Sequence, residues 1–189
     1  MKCQEYGLSR KERDWGCSKM RCVIVTGMSG AGKSTALKML EDMGYFCVDN
    51  LPVPLIPKFA ELLAVPGTEM NKAALGVDIR SGQSFRELAN VLKVLDEGGC
   101  QYEILYLESS DDVLVKRYKE TRRFHPLAGS DGRVEDGLKR ERELLGFLKK
   151  KADYLVDTSH MLTRELKAEL NKIFVQNKEY KNLYISVLS

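Results

Sequence analysis

The sequence predicts an α/β fold in which a parallel sheet is covered by helices on both faces. Three observations carry this. Short apolar, β-branched runs alternate with longer helical patterns from residue 21 onward. The first such run ends in a glycine-rich turn that leads into a helical pattern. The junctions hold Asp, Asn, Pro and Gly, residues that suit a strand handing over to a helix. The chain has 189 residues, enough for one compact domain with a sizeable core and short for two full ones.

Residues 22–26 (CVIVT) suit a buried parallel strand. Residues 33–43 read as a helix with Ala36, Leu37 and Leu40 inward, stopped by Gly44. A second strand, 45–48, ends at Asp49-Asn50-Leu51-Pro52, and 54–64 form a helix closed by Pro66-Gly67. The third strand spans 73–79. Ser84 and Glu87 then form a capping box, with Phe85, Leu88, Val91, Leu92 and Leu95 as the buried stripe. Gly98-Gly99 end that helix and 102–107 make a fourth strand. Asp111 and Asp112 favour the start of the next helix by their charge. An irregular stretch from 122 to 132 precedes a charged helix over 134–150, a fifth strand over 154–156 and a last helix over 162–175. Residues 182–188 alternate as a further strand (Leu183, Ile185, Val187) with no helix after it.

Three regions follow: an arm over 1–19, a domain over 20–177, and residues 178–189 as the start of a further, C-terminal domain. The arm is polar and aperiodic, and reads as disordered or as a start-site extension before Met20. Composition is that of a soluble globular protein, with 43% hydrophobic and 30% charged residues. A net charge of +3 permits an anionic ligand but does not argue for nucleic-acid binding. The five cysteines lack any C-x-x-C spacing and there are only two histidines, His125 and His160. This argues against zinc or a disulfide framework and fits thiols kept reduced in a cytoplasm. No apolar run approaches the roughly 20 residues that cross a bilayer, and the N-terminus has no apolar signal core.

Gly27-Met28-Ser29-Gly30-Ala31-Gly32-Lys33-Ser34 matches G-x-x-x-x-G-K-[ST] between a strand and a helix. In such a P-loop, backbone N–H groups turn inward around phosphate oxygens and the helix aims its positive end at them. Lys33 neutralises the β- and γ-phosphates, Ser34 ligates Mg²⁺ and Thr35 adds a hydroxyl near the α-phosphate. The ligand is therefore a nucleoside triphosphate with magnesium. A carboxylate at the end of a neighbouring strand is expected to hold the metal through water. Asp78, closing an apolar run, is favoured for the magnesium side. Asp49 is then the candidate to orient a water or an acceptor hydroxyl.

A basic run over 116–127 follows the fourth strand (KRYKETRRFHPL). Arg122 and Arg123 are candidates to reach the transferred γ-phosphate from a lid ended by Pro126 and the glycines at 129 and 132. His125 is a candidate general base, or else a residue that fixes the lid. Lys149-Lys150-Lys151 reads as a solvated face; with Lys139, Arg140 and Arg142 it is the alternative candidate for an RNA contact.

These segments resemble the RapZ/YvcJ family, the RNase adapter family of P-loop nucleotide-binding proteins. The resemblance is carried by the P-loop, by EDMGYFCVDNLP over 41–52, by Asp78-Ile79-Arg80-Ser81, by TRRFHPL over 121–127 and by Val156-Asp157-Thr158-Ser159. It implies a three-layer α/β/α P-loop NTPase with a five-stranded parallel sheet of the nucleoside/nucleotide kinase type. It further implies hydrolysis of ATP and GTP, and binding of GTP by Asp78, Ile79, Arg80 and Ser81. The family carries a second domain, linked in enteric members to a small regulatory RNA and an amino-sugar phosphate. Three functions compete: a slow ATP/GTP hydrolase with a regulatory role, a small-molecule kinase using Asp49 as base, and an RNA- or protein-binding adapter. Base preference and oligomeric state are not encoded in any motif of the chain.

Overall fold

The computed structural model describes residues 21–63, 72–78, 82–97, 100–122, 124–128, 133–176 and 183–185. The arm over 1–19 expected from sequence lies outside them.

Val23, Ile24 and Val25 have no solvent exposure, as befits a strand with neighbours on both edges and helices on both faces. They belong to β1 (Arg21–Gly27), which pairs in parallel with β3 (Lys72–Gly76) and β4 (Glu103–Glu108). Next to β3 lies β2 (Phe46–Val48), and next to β4 lies β5 (Tyr154–Asp157). The sheet order is β2-β3-β1-β4-β5-β6, with all pairs parallel.

The five expected strands are all present, and β6 (Leu183–Ile185) adds a sixth beside β5. The alternation over 182–188 was expected to open a further domain; in the structure its centre extends this sheet. A short alternating segment fits any free sheet edge, so pairing, not pattern, decides where it goes.

Helix α1 (Lys33–Asp42) packs against α6 (Thr163–Phe174) on one face of the sheet. On the other face α2 (Ile56–Leu63), preceded by a 3₁₀ turn over Val53–Leu55, packs on α3 (Gly82–Glu97). There α3 also meets α5 (Val134–Lys151), and α5 meets α4 (Asp111–Thr121). Two boundaries differ from expectation. The third strand stops at Gly76, which leaves Asp78 in the loop beyond it. Helix α3 starts at Gly82, so Ser84 falls inside its first turn and is not its cap. Among the described residues no helix is long and apolar enough to cross a membrane.

Away from the strand C-termini, Arg21 stitches the sheet together. Its Nε donates to Glu103 Oε2 at 2.5 Å and its Nη1 to the Phe174 carbonyl at 3.3 Å, while Tyr154 donates to Glu103 at 2.8 Å. Burial alone lowers the Arg21 pKa, but hydrogen bonding and charge from Glu103 raise it overall, so the guanidinium stays charged.

Candidate functional site

Because every strand runs the same way, the segments after β1, β2, β3, β4 and β5 emerge at one edge of the sheet. They deliver Gly27, Asp49, Asp78, Ser109 and Thr158 to a single rim.

The phosphate loop starts where β1 ends. Gly27 has φ 132°, and a Cβ there would lie 2.0 Å from the Leu107 carbonyl oxygen, so only glycine lets the chain turn this close to β4. Met28 is fully buried and donates its N–H to that same carbonyl at 3.0 Å. Met28 therefore anchors the loop, and its N–H faces the sheet. Gly30 and Gly32 also take positive φ, at 86° and 101°. Helix α1 then begins with Lys33, Ser34 and Thr35, whose N–H groups have no partner inside the helix and head the positive end of its dipole.

At the helix end of the loop, Lys33 Nζ lies 2.9 Å from the Gly27 carbonyl, 3.2 Å from that of Met28 and 3.0 Å from Asp78 Oδ1. Ser34 is exposed and its hydroxyl donates to Asp49 Oδ2 at 2.8 Å. The two aspartates thus divide between the two functional side chains: Asp78 is on the lysine, Asp49 on the serine. The sequence favours Asp78 for the metal, as the residue that closes an apolar run, and the geometry makes Asp49 a second candidate beside Ser34. A hydroxyl and a nearby carboxylate are hard oxygen donors, and Mg²⁺ needs only one or two protein ligands beside water and phosphate oxygens. Ser34 and Asp49 fit that ion.

The crown of the loop is held differently. Both Glu141 carboxylate oxygens accept the Ser29 backbone N–H, at 3.0 and 3.1 Å, and Oε1 also accepts the Ser29 hydroxyl at 2.6 Å. Glu141 is only 2% exposed, and its Oε2 lies 3.1 Å from Nε2 of His125, itself 3% exposed. The Leu127 N–H donates to His125 Nδ1 at 3.1 Å, which leaves the ring proton on Nε2, donating to Glu141. Gly137 makes room for the ring, since a Cβ there would meet His125 Nδ1 at 2.4 Å.

Between these ends, Arg117 of α4 donates from Nη1 to the Gly30 carbonyl at 2.9 Å and from Nη2 to the Thr158 carbonyl at 2.8 Å. Burial lowers its pKa, against the opposing pull of Glu120 and Asp157. The buried Thr158 hydroxyl lies within 3.0 Å of both the Ala31 and Glu108 carbonyls, tying the loop to β4 and β5.

Sequence reading selected Lys33, Ser34, Asp49 and Asp78, and the fold gathers all four. Arg122 caps α4 in a left-handed conformation and is exposed. Arg123, Ile79, Arg80 and Ser81 lie outside the described residues. Arg117, Thr158 and Glu141 were not selected, and His125 was weighed only as a base or a prop for the lid. The clue to Glu141 is its place in the α5 stripe Leu138, Glu141, Leu145, Leu148, where helical spacing puts a carboxylate among buried residues. Much of the basic face read on α5 is internally neutralised. Arg142 bonds Asp111 and Glu108, Lys149 pairs with Glu108 and Lys151 with Asp96.

A family model described as the RapZ-like N-terminal domain matches residues 20–178. A nucleotide-binding protein of Lachnoclostridium phytofermentans is 61% identical over 170 residues, covering 90% of this chain and 59% of that protein. One of Agathobacter rectalis is 57% identical over 170 residues, covering 90% of this chain and 58% of the relative. The chain thus spans less than two thirds of the length of these relatives. Among solved structures, a Janibacter sugar kinase aligns with TM-score 0.53 at 18% identity, over 81% of this chain and 93% of its own. Shikimate kinase from Acinetobacter baumannii in complex with shikimate aligns with TM-score 0.51 at 17% identity, over 85% of this chain and 96% of its own. At such identities the likeness is one of fold: the three-layer P-loop architecture of the kinases.

Proposed function

The chain belongs to the RapZ-like N-terminal domain family of nucleotide-binding proteins, and from that premise we propose that it binds and slowly hydrolyses ATP and GTP with Mg²⁺. The observation that carries this reading is the pairing at the helix end of the loop, Lys33 with Asp78 and Ser34 with Asp49. Lys33 exchanges its carbonyl and Asp78 contacts for β- and γ-phosphate oxygens. Asp78, which stands beside Lys33 at the same rim, is the carboxylate assigned to orient the attacking water. Ser34 and Asp49 would hold Mg²⁺, which when bound neutralises charge on the phosphate oxygens. Arg122 and Arg123 remain candidates to approach the γ-phosphate from the lid, and Asp78, Ile79, Arg80 and Ser81 to contact the nucleotide.

Slow turnover fits a regulatory role in which the nucleotide state is passed to the rest of a longer protein. An RNA or protein partner of that longer protein belongs to this proposal. Replacing Lys33 by Ala is expected to abolish both triphosphate binding and hydrolysis, measured by titration calorimetry and phosphate release; unchanged turnover would sink the assignment. The small-molecule kinase reading needs Asp49 as a base on an acceptor hydroxyl. Its engagement with Ser34 favours hydrolysis instead. A metabolite that accelerates ADP formation and yields a stoichiometric phosphorylated product would reverse that preference.

A further inference from the structure

Glu141 lies outside the phosphate-binding motif, yet its buried carboxylate is bonded to the motif's crown. Among the described residues its hydrogen bonds are all with donors: the Ser29 N–H, the Ser29 hydroxyl and His125 Nε2. A buried carboxylate is tolerable only where donors surround it. Here one of those donors is a backbone N–H of a loop whose chemistry is to bind anions. The loop therefore already carries an anionic group of the protein's own at Ser29.

The position of that group along the triphosphate follows from Lys33. Its ammonium sits against the carbonyls of Gly27 and Met28, the first two residues of the loop. A P-loop lysine serves the β- and γ-phosphates, and Ser29 is the next residue along, so Glu141 faces the γ end. A diphosphate leaves this carboxylate in place. A γ-phosphate brings like charge against it in a poorly solvated corner, where repulsion is several times stronger than in water.

Displacing Glu141 has a second consequence. Its Oε2 is the partner of His125 Nε2, and His125 in turn holds the Leu127 N–H and packs on Tyr118 at a ring separation of 5.2 Å. The Leu127 carbonyl is also bonded by Arg140 at 3.3 Å. Movement of Glu141 thus breaks the buried tie between residues 124–128 and α5 and leaves the exposed Arg140 bond to hold them, so the turn loosens.

Resting on the reading of this loop as a triphosphate site, we propose that Glu141 is the positioning residue by which the protein distinguishes triphosphate from diphosphate. It holds the His125 turn down while a diphosphate is bound, and releases it when the γ-phosphate takes its place at Ser29.

The test uses the 189-residue chain with Mg²⁺ and either ADP or the non-hydrolysable β,γ-imido analogue of ATP. Glu141→Gln keeps the shape and removes the charge. It should raise the preference for the analogue over ADP by about tenfold or more, since one like charge at a few ångströms is worth nearly that much in water and more in this corner. A merely structural role would move both affinities together. In the wild-type chain, amide hydrogen exchange over 124–128 should be faster with the analogue than with ADP, a measurement that does not depend on the variant folding. An unchanged affinity ratio in the variant, or equal exchange with both nucleotides, overturns the inference while leaving the site reading intact. Failure of the wild-type chain to bind either nucleotide overturns both.

Discussion

The two ends of the phosphate loop are built on opposite principles. At the helix end Ser34 and Asp49 are exposed, and each makes its contact at the mouth of the site. At the crown Glu141 and His125 are almost wholly buried, and their contacts bind the loop, α5 and the 124–128 turn into one unit. The open end can rearrange around a ligand without disturbing the core. The closed end moves only at the cost of loosening that unit, because each buried polar atom there depends on its neighbour. Mg²⁺ binding and stability should therefore separate along a stretch of only eight residues.

The largest effect is expected where the two ends meet the sheet. Gly27→Ala would place a methyl group against the Leu107 carbonyl in a conformation that alanine resists. It should cost about 3 kcal/mol or more, read from chemical denaturation, and abolish nucleotide binding. A stable, binding-competent variant would mean that the loop can leave β4, and the contrast between its ends would lose its basis.

Next comes a direct comparison of one residue from each end. His125→Ala leaves Glu141 buried without its ring donor and opens space over Gly137, and should cost about 2–3 kcal/mol. Ser34→Ala, at an exposed position, should stay within about 0.5 kcal/mol of the parent while weakening Mg²⁺-dependent binding. Equal losses of stability would erase the distinction.

Within the open end, the division of the aspartates can be sharpened. Asp49→Asn should raise the Mg²⁺ concentration needed for triphosphate binding about tenfold, on the order of 1.4 kcal/mol. Asp78→Asn should leave that requirement nearly unchanged and alter turnover instead. The reverse pattern would restore Asp78 to the metal.

The effect that is smallest at neutral pH, and that grows only above about pH 9, comes from two thiols. Burial pushes the thiol of Cys22 up to about 12 and that of Cys47 up to about 11, from 9.0. The folded chain thus keeps protons that the unfolded chain releases above pH 9. Stability should be intact below about pH 9 and fall as pH rises towards 11–12. A thermal midpoint measured across that range checks the sign, and Cys22→Ala should flatten part of the decline.

Much of this molecule was legible from local pattern. Strand β1 is a run of β-branched residues, α1 begins right after the glycine turn, and Lys33 and Ser34 follow from spacing alone. The boundaries that shifted, at Gly76 and Gly82, are ones where local propensity is weak. His125 stood out as one of two histidines. Glu141 did not, because a glutamate in a charged helix reads as solvated unless the face it occupies is known. Arg117 was hidden in a basic run in which Arg122 and Arg123 looked equally able to act.

By itself the sequence determined that this chain alternates strand and helix, and that a phosphate-binding turn follows the first strand. Both are encoded within short windows, by side-chain periodicity and by the backbone freedom of glycine. Tertiary structure alone decided that β6 joins this sheet, that Asp49 serves Ser34 while Asp78 serves Lys33, and that Glu141 reaches Ser29 across 112 positions. Those outcomes depend on which strand lies beside which and on which helix face turns inward, and no local window carries that information. The parallel order β2-β3-β1-β4-β5 brings the strand ends to one rim, and packing of α5 places a carboxylate against the loop.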